Sequence, residues 1–410
     1  MKSNYKKLGQ FIQQVSIKNS DLRVDNLLGV SITNEFIKSI ANTIGTDMTT
    51  YKIVKKNQFT YGSITSRNGD KISIALLQED EAIVSTSYTV FEVIDINELL
   101  PEYLMMWFRR PEFDRYARYM SHGSTREAFG WDEMCDVELP VPSPEKQREI
   151  VKEYHTIKDR IKLNEQLNQK LEDTAQSIYK EWFVNFEFPD KNAKSYKSNG
   201  GEMVYCDELE REIPHYWNYG TLENIGEIVG GATPSKDNSD YWDNEGIIWI
   251  TPKDLSKENN KFIYQGEYKI SELGYKKSST KLMPKNSVLF SSRAPIGYLA
   301  INMNEVCTNQ GFKSIIPKEE IGTEFVYYYL KFNTENIANE STGSTFAEVS
   351  GTMMKNYKAL IPDKIICLNF TTLVKKIFNQ QILIEKEITI EKNLLNILLS
   401  KIAILKDKND

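Results

Sequence analysis

The 410-residue chain has few of the residues that build metal sites and disulfides: 4 cysteines and 3 histidines. Cys135, Cys206, Cys307 and Cys367 stand far apart with no C-x-x-C pair, and His122, His155 and His215 are equally scattered. This argues against a zinc site or a disulfide framework and fits a reducing cytoplasm. No run of 18 apolar residues occurs, so no membrane span is expected. The basic start MKSNYKKLGQFIQQV lacks the apolar core and small-residue cleavage site of a signal peptide. Catalytic signatures are missing too. There is no G-x-x-x-x-G-K-[ST], no G-x-G-x-x-G after a strand, no H-E-x-x-H and no G-x-S-x-G. Gly230-Gly231-Ala232-Thr233-Pro234 can be read as a phosphate cradle or as a plain tight turn. No catalytic residue and no metal ligand is assigned.

Basic charge is not in excess either: the formal net charge is -6. A simple basic nucleic-acid binder is disfavoured, but the distribution matters more than the sum. Lys276, Lys277, Lys281, Lys285 and Arg293 fall together with no acid between them. In the first half, Lys52, Lys55, Lys56, Arg67 and Lys71 cluster, followed by Arg109, Arg110, Arg115, Arg118 and Arg126. Each cluster alone could be a solvated face; two at equivalent places favour a polyanion.

What the chain has is one long heptad seam. Residues 145–183 contain no Gly and no Pro, and Ile150, Tyr154, Ile157, Ile161, Asn164, Asn168, Leu171, Ala175, Ile178 and Trp182 follow each other at steps of four and three. Such a helix would be roughly 58 Å long at 1.5 Å per residue. Adding 220 to each number gives Phe370, Val374, Ile377, Gln381, Ile384, Ile388, Glu391, Leu395, Leu398 and Ile402, mostly apolar and again polar towards the middle. The approaches repeat as well. Gly123-Ser124-Thr125 matches Gly343-Ser344-Thr345, and Leu139 to Pro142 matches Ala359 to Pro362. The chain therefore reads as a duplication of globular unit plus long helix. The central polar residues Asn164, Asn168, Gln381 and Glu391 either set the register of a helix pair or face solvent.

Each globular unit is expected to mix α and β. Lys52–Val54, Ile72–Leu76 and Ala82–Val93 read as strands, and Leu99–Met120 as helix broken at Arg110. Ile247–Ile250, Val288–Phe290, Tyr298–Ile301 and Phe312–Ile316 read as strands of the second unit. The boundaries are 1–142 for the first unit, 143–188 for the first long helix, 189–216 for a polar linker, 217–362 for the second unit and 363–410 for the second long helix. The two units share element order while their loops differ, as expected if each recognises something different.

Several loops combine hydroxyls, amides and cations suited to phosphates and base edges. In the second unit these are Thr233 and Ser235, Lys253, Ser291 and Arg293, Asn309 and Gln310, and Lys313, with Ser344 and Thr345 ahead of the helix. Ser63, Arg67, Ser87, Thr125 and Arg126 take corresponding places in the first. Asn309 and Gln310 could equally satisfy a buried turn.

These residues resemble a known family, the specificity (S) subunit of type I restriction-modification enzymes. The marks are LPVPSPEKQREIV (139–151), the helix end IYKEWF (178–183), Glu212-Ile213-Pro214 with Trp217, and GGATPS, SSRAPIG and TNQGF. LLGVSITNEFIKS in the first unit resembles a different recognition-domain subclass. IPDKIICLNF departs from the P-x-x-Q-x-x-I start usual in the family. The resemblance implies an α+β fold: two similar mixed α/β target recognition domains separated by two long antiparallel helices in a coiled coil, with an internal pseudo-twofold repeat. It also implies a non-catalytic, DNA-binding subunit of a restriction system that defends against foreign DNA. Each domain would read one half of a bipartite, asymmetric site in double-stranded DNA, while the helices space the domains and dock two modification subunits. Those would be adenine-N6 methyltransferases, which carry out the DNA methylation with S-adenosylmethionine; restriction subunits using ATP and Mg could join. No cofactor is expected in this chain, and a prokaryotic cytoplasm is the expected location. A coiled-coil scaffold with two protein-binding heads, or a stand-alone nuclease, would be the rival readings.

Overall fold

A computed structural model describes residues 5–39, 45–66, 68–69, 71–123, 127–258, 260–293, 295–341 and 348–404. The chain divides into two compact units, Met1–Leu163 with Ile388–Asp410, and Asn164–Glu387. Each unit therefore takes part of both long helices, which the sequence had suggested as separate segments.

The first unit closes on itself. Its first strand, Tyr5–Lys7, pairs antiparallel with Glu138–Pro140, the last strand before the long helix. Just inside that pair, the Leu8 amide donates to the Val137 carbonyl at 2.8 Å. Between them lies a four-stranded sheet in the order Ile12–Val15, Tyr88–Val93, Gln58–Gly62, Ile74–Leu76. A three-stranded sheet follows the order Ile17–Lys18, Lys52–Lys55, Glu81–Val84. Helices Pro101–Phe108 and Pro111–Met120 each begin on a proline, with the expected break at Arg110 between them. Residues 82–93 form two strands rather than the one expected. Between them Ser87 N donates to Ser85 Oγ at 3.4 Å, a local side-chain turn that sends the chain from one sheet to the other.

The second unit repeats this plan. Asn218–Thr221 pairs antiparallel with Lys358–Ile361, and the Leu222 amide donates to the Tyr357 carbonyl at 3.0 Å. Its main sheet runs Gly226–Gly230, Lys313–Pro317, Val288–Ser292, Ile296–Asn302, with Phe262–Ile263 added at the edge. The first four strands reproduce the permutation of the first unit. The second sheets differ: Lys52–Lys55 pairs antiparallel with Glu81–Val84, whereas Trp242–Ile250 pairs parallel with Val306–Thr308. The helix Thr323–Glu340 buries Phe325, Tyr328 and Leu330.

The long helices are Pro144–Tyr179, continued by a wider π-type turn over Lys180–Val184, and Lys364–Ile402. They run antiparallel within each unit. In the first, Ile150 and Tyr154 share a core with Leu398, Leu399 and Ile402, and Arg160 pairs with Glu391 at 2.6 Å. In the second, Phe183 meets Phe370 edge-on at 5.0 Å, and Asn164 donates to Glu387 at 3.2 Å. The seam residues Ile161, Val374, Ile384 and Ile388 are buried, while Ile157, Leu171, Ile178, Trp182, Ile377 and Leu395 are half-buried. The central polar positions are not solvated: Gln381 and Glu391 are buried, and Asn164 and Asn168 half-buried.

The two helix starts differ, which accounts for the departure at IPDKIICLNF. Gln147 is fully buried, accepts from the Leu100 amide at 2.8 Å and donates to the Glu98 and Pro142 carbonyls. Its counterpart 220 residues later, Cys367, is equally buried but packs among apolar side chains. There Asp363 caps the helix instead, accepting from the Ile365 amide at 2.8 Å. Residues 189–216 are more ordered than a linker. Met203–Cys206 and Arg211–Pro214 form a hairpin, and Phe188 stacks on Tyr196 and Trp217 at 4.6 and 5.2 Å. Apolar anchors spaced through a polar stretch hold it down.

Candidate nucleic-acid interface

In the second unit the loops singled out from the sequence converge on one end of the main sheet. Gly231 makes this possible: a Cβ there would lie 2.1 Å from the Asn309 carbonyl oxygen and 2.3 Å from that of Thr308. The Ala232 amide donates to Thr308 O at 2.9 Å, and the Thr233 hydroxyl donates to Gln310 Oε1. Asn309 N donates to Ile250 O, which brings in the Thr251–Asp254 turn. The Ser292 amide donates to Gly311 O at 2.7 Å, and Val349 N to Ser292 O at 2.9 Å. Thr233, Gln310, Arg293 and Lys313 are thus carried on adjoining segments.

Glu348 balances two of the cations in this surface. Arg293 Nη1 lies 3.5 Å from Glu348 Oε2, and Lys313 Nζ 3.8 Å from Glu348 Oε1. Burial lowers the Lys313 ammonium below its ordinary range, with Glu348 acting against that. Lys253 is exposed and pairs with Glu267 at 3.2 Å. Ser235 is exposed, and its carbonyl accepts from Trp242 Nε1 at 3.1 Å. Trp249 Nε1 donates to Ala232 O at 3.0 Å, so two indoles hold the GGATPS loop. Sequence reasoning missed Glu348 and both tryptophans. The pair of tryptophans seven apart beside a glycine-rich turn was the available signal; Glu348 had none.

Two candidates have side-chain oxygens engaged in their own turns. Ser291 is fully buried, donating to Pro295 O at 2.8 Å and accepting from Tyr298 N at 2.7 Å. Its hydroxyl shapes the turn and cannot reach a ligand. Asn309 uses its Oδ1 on the Gly311 amide at 2.9 Å, which matches the alternative reading of a satisfied turn.

In the first unit the equivalent sheet end carries Ser63 and Ser87. They flank the Gly62–Tyr88 pair of neighbouring strands, as Arg293 and Gln310 flank the homologous strands. Ser87 is exposed and Ser63 half-buried. Arg67, Thr125, Arg126, Ser344 and Thr345 lie outside the described residues. The four described residues of the expected arginine run do not form an open basic face. Arg109 donates to Tyr154 Oη at 3.1 Å, Arg110 is buried over the Trp107 ring at 4.2 Å, Arg115 pairs with Glu112, and Arg118 with Glu127. Carboxylates distant in sequence also reach the lysine run, as in Lys281–Glu227 at 2.9 Å. Among the described residues no group of three or more His, Cys, Asp and Glu could hold a metal ion. No described helix is long and apolar enough to cross a membrane.

Two α+β units of one strand order, each followed by a long helix, with unlike polar loops at matching sheet ends, define a duplicated recognition protein of the specificity-subunit class. The chain belongs to the type I restriction modification DNA specificity domain family, whose model matches residues 14–173 and 214–400. DNA specificity is the role this membership carries. It is 27% identical over 380 residues to the type I restriction enzyme HindI specificity subunit of Haemophilus influenzae, covering 80% of this chain and 82% of that one. It is 42% identical over 153 residues to the MjaIX specificity subunit of Methanocaldococcus jannaschii, which spans 37% of this chain and only 35% of that relative. The crystal structure of a type I restriction-modification system S subunit from M. genitalium superposes with a TM-score of 0.59 at 13% identity, covering 98% of this chain and 96% of that one.

Proposed function

We propose that this chain is the sequence-reading subunit of a type I restriction-modification complex, each unit taking one half of a bipartite, asymmetric site in double-stranded DNA. The observation that carries this reading is the common strand permutation, which delivers different loops to the same end of the same sheet. In the second unit Arg293, Lys313, Gln310, Thr233, Ser235 and Lys253 supply donors to phosphates and base edges, with Arg293 suited to a guanine edge. Ser63, Ser87, Arg67, Thr125 and Arg126 serve the first half-site, and Ser344 and Thr345 the second. The recognition segments are 1–142 and 217–362, joined through 189–216.

The helices 143–188 and 363–410 space the two readers and dock two modification subunits. Apolar side chains left exposed on the second helix, Ile390, Leu394 and Ile397, suit that docking. The methyltransferase partner brings S-adenosylmethionine, and a restriction partner, where present, brings ATP and Mg. The work takes place in the cytoplasm. Co-expression with a type I modification subunit, followed by mapping of N6-methyladenine, tests the reading. A single two-part motif with a fixed gap is expected. Failure to copurify, or methylation without a two-part motif, overturns it.

A further inference from the structure

The second unit contains a buried ionic cluster that none of the reading loops uses. Glu172, on the first long helix, is 9% exposed and sits opposite Lys261, which is 8% exposed. Lys261 Nζ forms an ion pair with Glu172 and donates to Gln381 Oε1 at 2.8 Å and Tyr328 Oη at 3.0 Å. It also lies 4.3 Å from the centre of the Phe378 ring. Lys331 Nζ reaches Glu172 Oε1 at 2.6 Å, and the Tyr328 hydroxyl donates to Glu172 Oε2 at 3.0 Å. Gln381 Nε2 bridges to Glu172 and to the Asn168 carbonyl, both at 3.4 Å.

Four elements meet at this one carboxylate: both long helices, the helix Thr323–Glu340 and the edge of the recognition sheet. Lys261 is anchored in that sheet, since its carbonyl accepts from the Ile301 amide at 2.8 Å and the next residue pairs with Ile301. The strand containing Ile301, Ile296–Asn302, starts at the turn that presents Arg293. A short, hydrogen-bonded path therefore links the reading loop to the middle of the helix pair. The first unit is built differently. The position 220 residues before Gln381 is the apolar Ile161, and among the described residues no fifth strand is added to its main sheet.

An apolar seam tolerates sliding, because one aliphatic contact replaces another. Buried ions do not, because an ion displaced by one helical turn loses its counter-charge and its water together. From this the geometry points to Glu172 and Lys261 as positioning residues that fix the register of the helix pair and the seat of the second recognition unit on it, and hence the gap between half-sites. The link to gap length rests on the proposed function; the link to register does not.

Two measurements separate those claims. In the full chain, the pair Asn164→Cys and Glu387→Cys should be joined by a short thiol-to-thiol crosslinker, because the native side chains meet tip to tip at 3.2 Å. Adding Glu172→Leu with Lys261→Met should lower that yield several-fold and let a pair offset by one turn, Asn164→Cys with Leu383→Cys, begin to crosslink. In the complex with the modification subunit, the same doubly substituted chain should methylate sites with more than one gap, while the bases of the first half-site stay fixed. Should the doubly substituted chain fail to fold, Glu172→Gln, which keeps the shape, is read in the same two assays. A folded variant that traps only the parental pair, in parental yield, and keeps a single gap overturns the inference. If the parental complex yields no two-part motif, the function falls, and the trapping result still decides the register.

Discussion

Burial of Glu385 on the second long helix gives the fold an unusual dependence on pH. Burial pushes its carboxyl up to about 7 from an ordinary 4.5, with Lys261 and Asn168 acting against the rise. Between those values the folded chain holds a proton that the unfolded chain releases. Stability of the second unit should therefore fall as pH rises from about 4.5 to about 7. At about 1.4 kcal/mol per pH unit, the ceiling of this loss is about 3 kcal/mol. Glu172 acts in the opposite sense at lower pH. Burial alone would raise its carboxyl, but Lys261 and Lys331 outweigh it and hold the group at about 2. Its contribution is complete above 4.5 and is lost as pH falls towards 2. Hydrogen exchange at the amides of Thr323–Glu340, which pack on this cluster, reads the local opening free energy. Glu385→Gln should remove the decline between pH 4.5 and 7 and leave the acid limb intact. An unchanged slope in that variant would refute the assignment.

Three other outcomes are expected. Arg293→Ala should relax the second half-site by about 1–3 kcal/mol, roughly 5- to 150-fold, if the guanidinium reads a base; equal losses on all sequences, with a shallower salt dependence of binding, would reassign it to phosphate. Removing the competing carboxylate by Glu348→Gln should tighten binding by only about 2- to 5-fold at low salt, because its partner Arg293 is exposed, and the gain should vanish at high salt in a titration by fluorescence anisotropy. Phe183→Ala empties a site shared with Phe370, Phe325 and Trp217 and should cost about 3–5 kcal/mol in denaturant unfolding of the second unit.

Much of the scaffold was legible because it rests on periodicity. The seam from Ile150 to Trp182 and its repeat from Phe370 to Ile402 are buried or half-buried as the spacing required. The proline-marked break at Arg110 lies between the helices Pro101–Phe108 and Pro111–Met120. What escaped was decided by partners remote in sequence. Glu172 lies outside the seam as counted and looks like any charge on an exposed helix face, until Lys261, 89 residues on, is seen to meet it. Arg109 to Arg118 read as a basic strip, because neither Tyr154 nor Glu127 announces itself as their partner. Among the loops, residue type marked the segments, but only coordinates distinguish Ser291, locked inside its turn, from Gln310 at the surface.

The way each unit closes has a consequence for how such chains can change. Leu8 touches Val137, and Leu222 touches Tyr357, through one backbone hydrogen bond each. Entry to and exit from each unit are thus side by side, like the two pins of a plug. Everything between them could be exchanged for a foreign insert of another size without shifting the strands that lead into the helices. New DNA preferences could then be acquired wholesale, by recombination at two fixed seams, instead of by slow mutation of the contacting side chains.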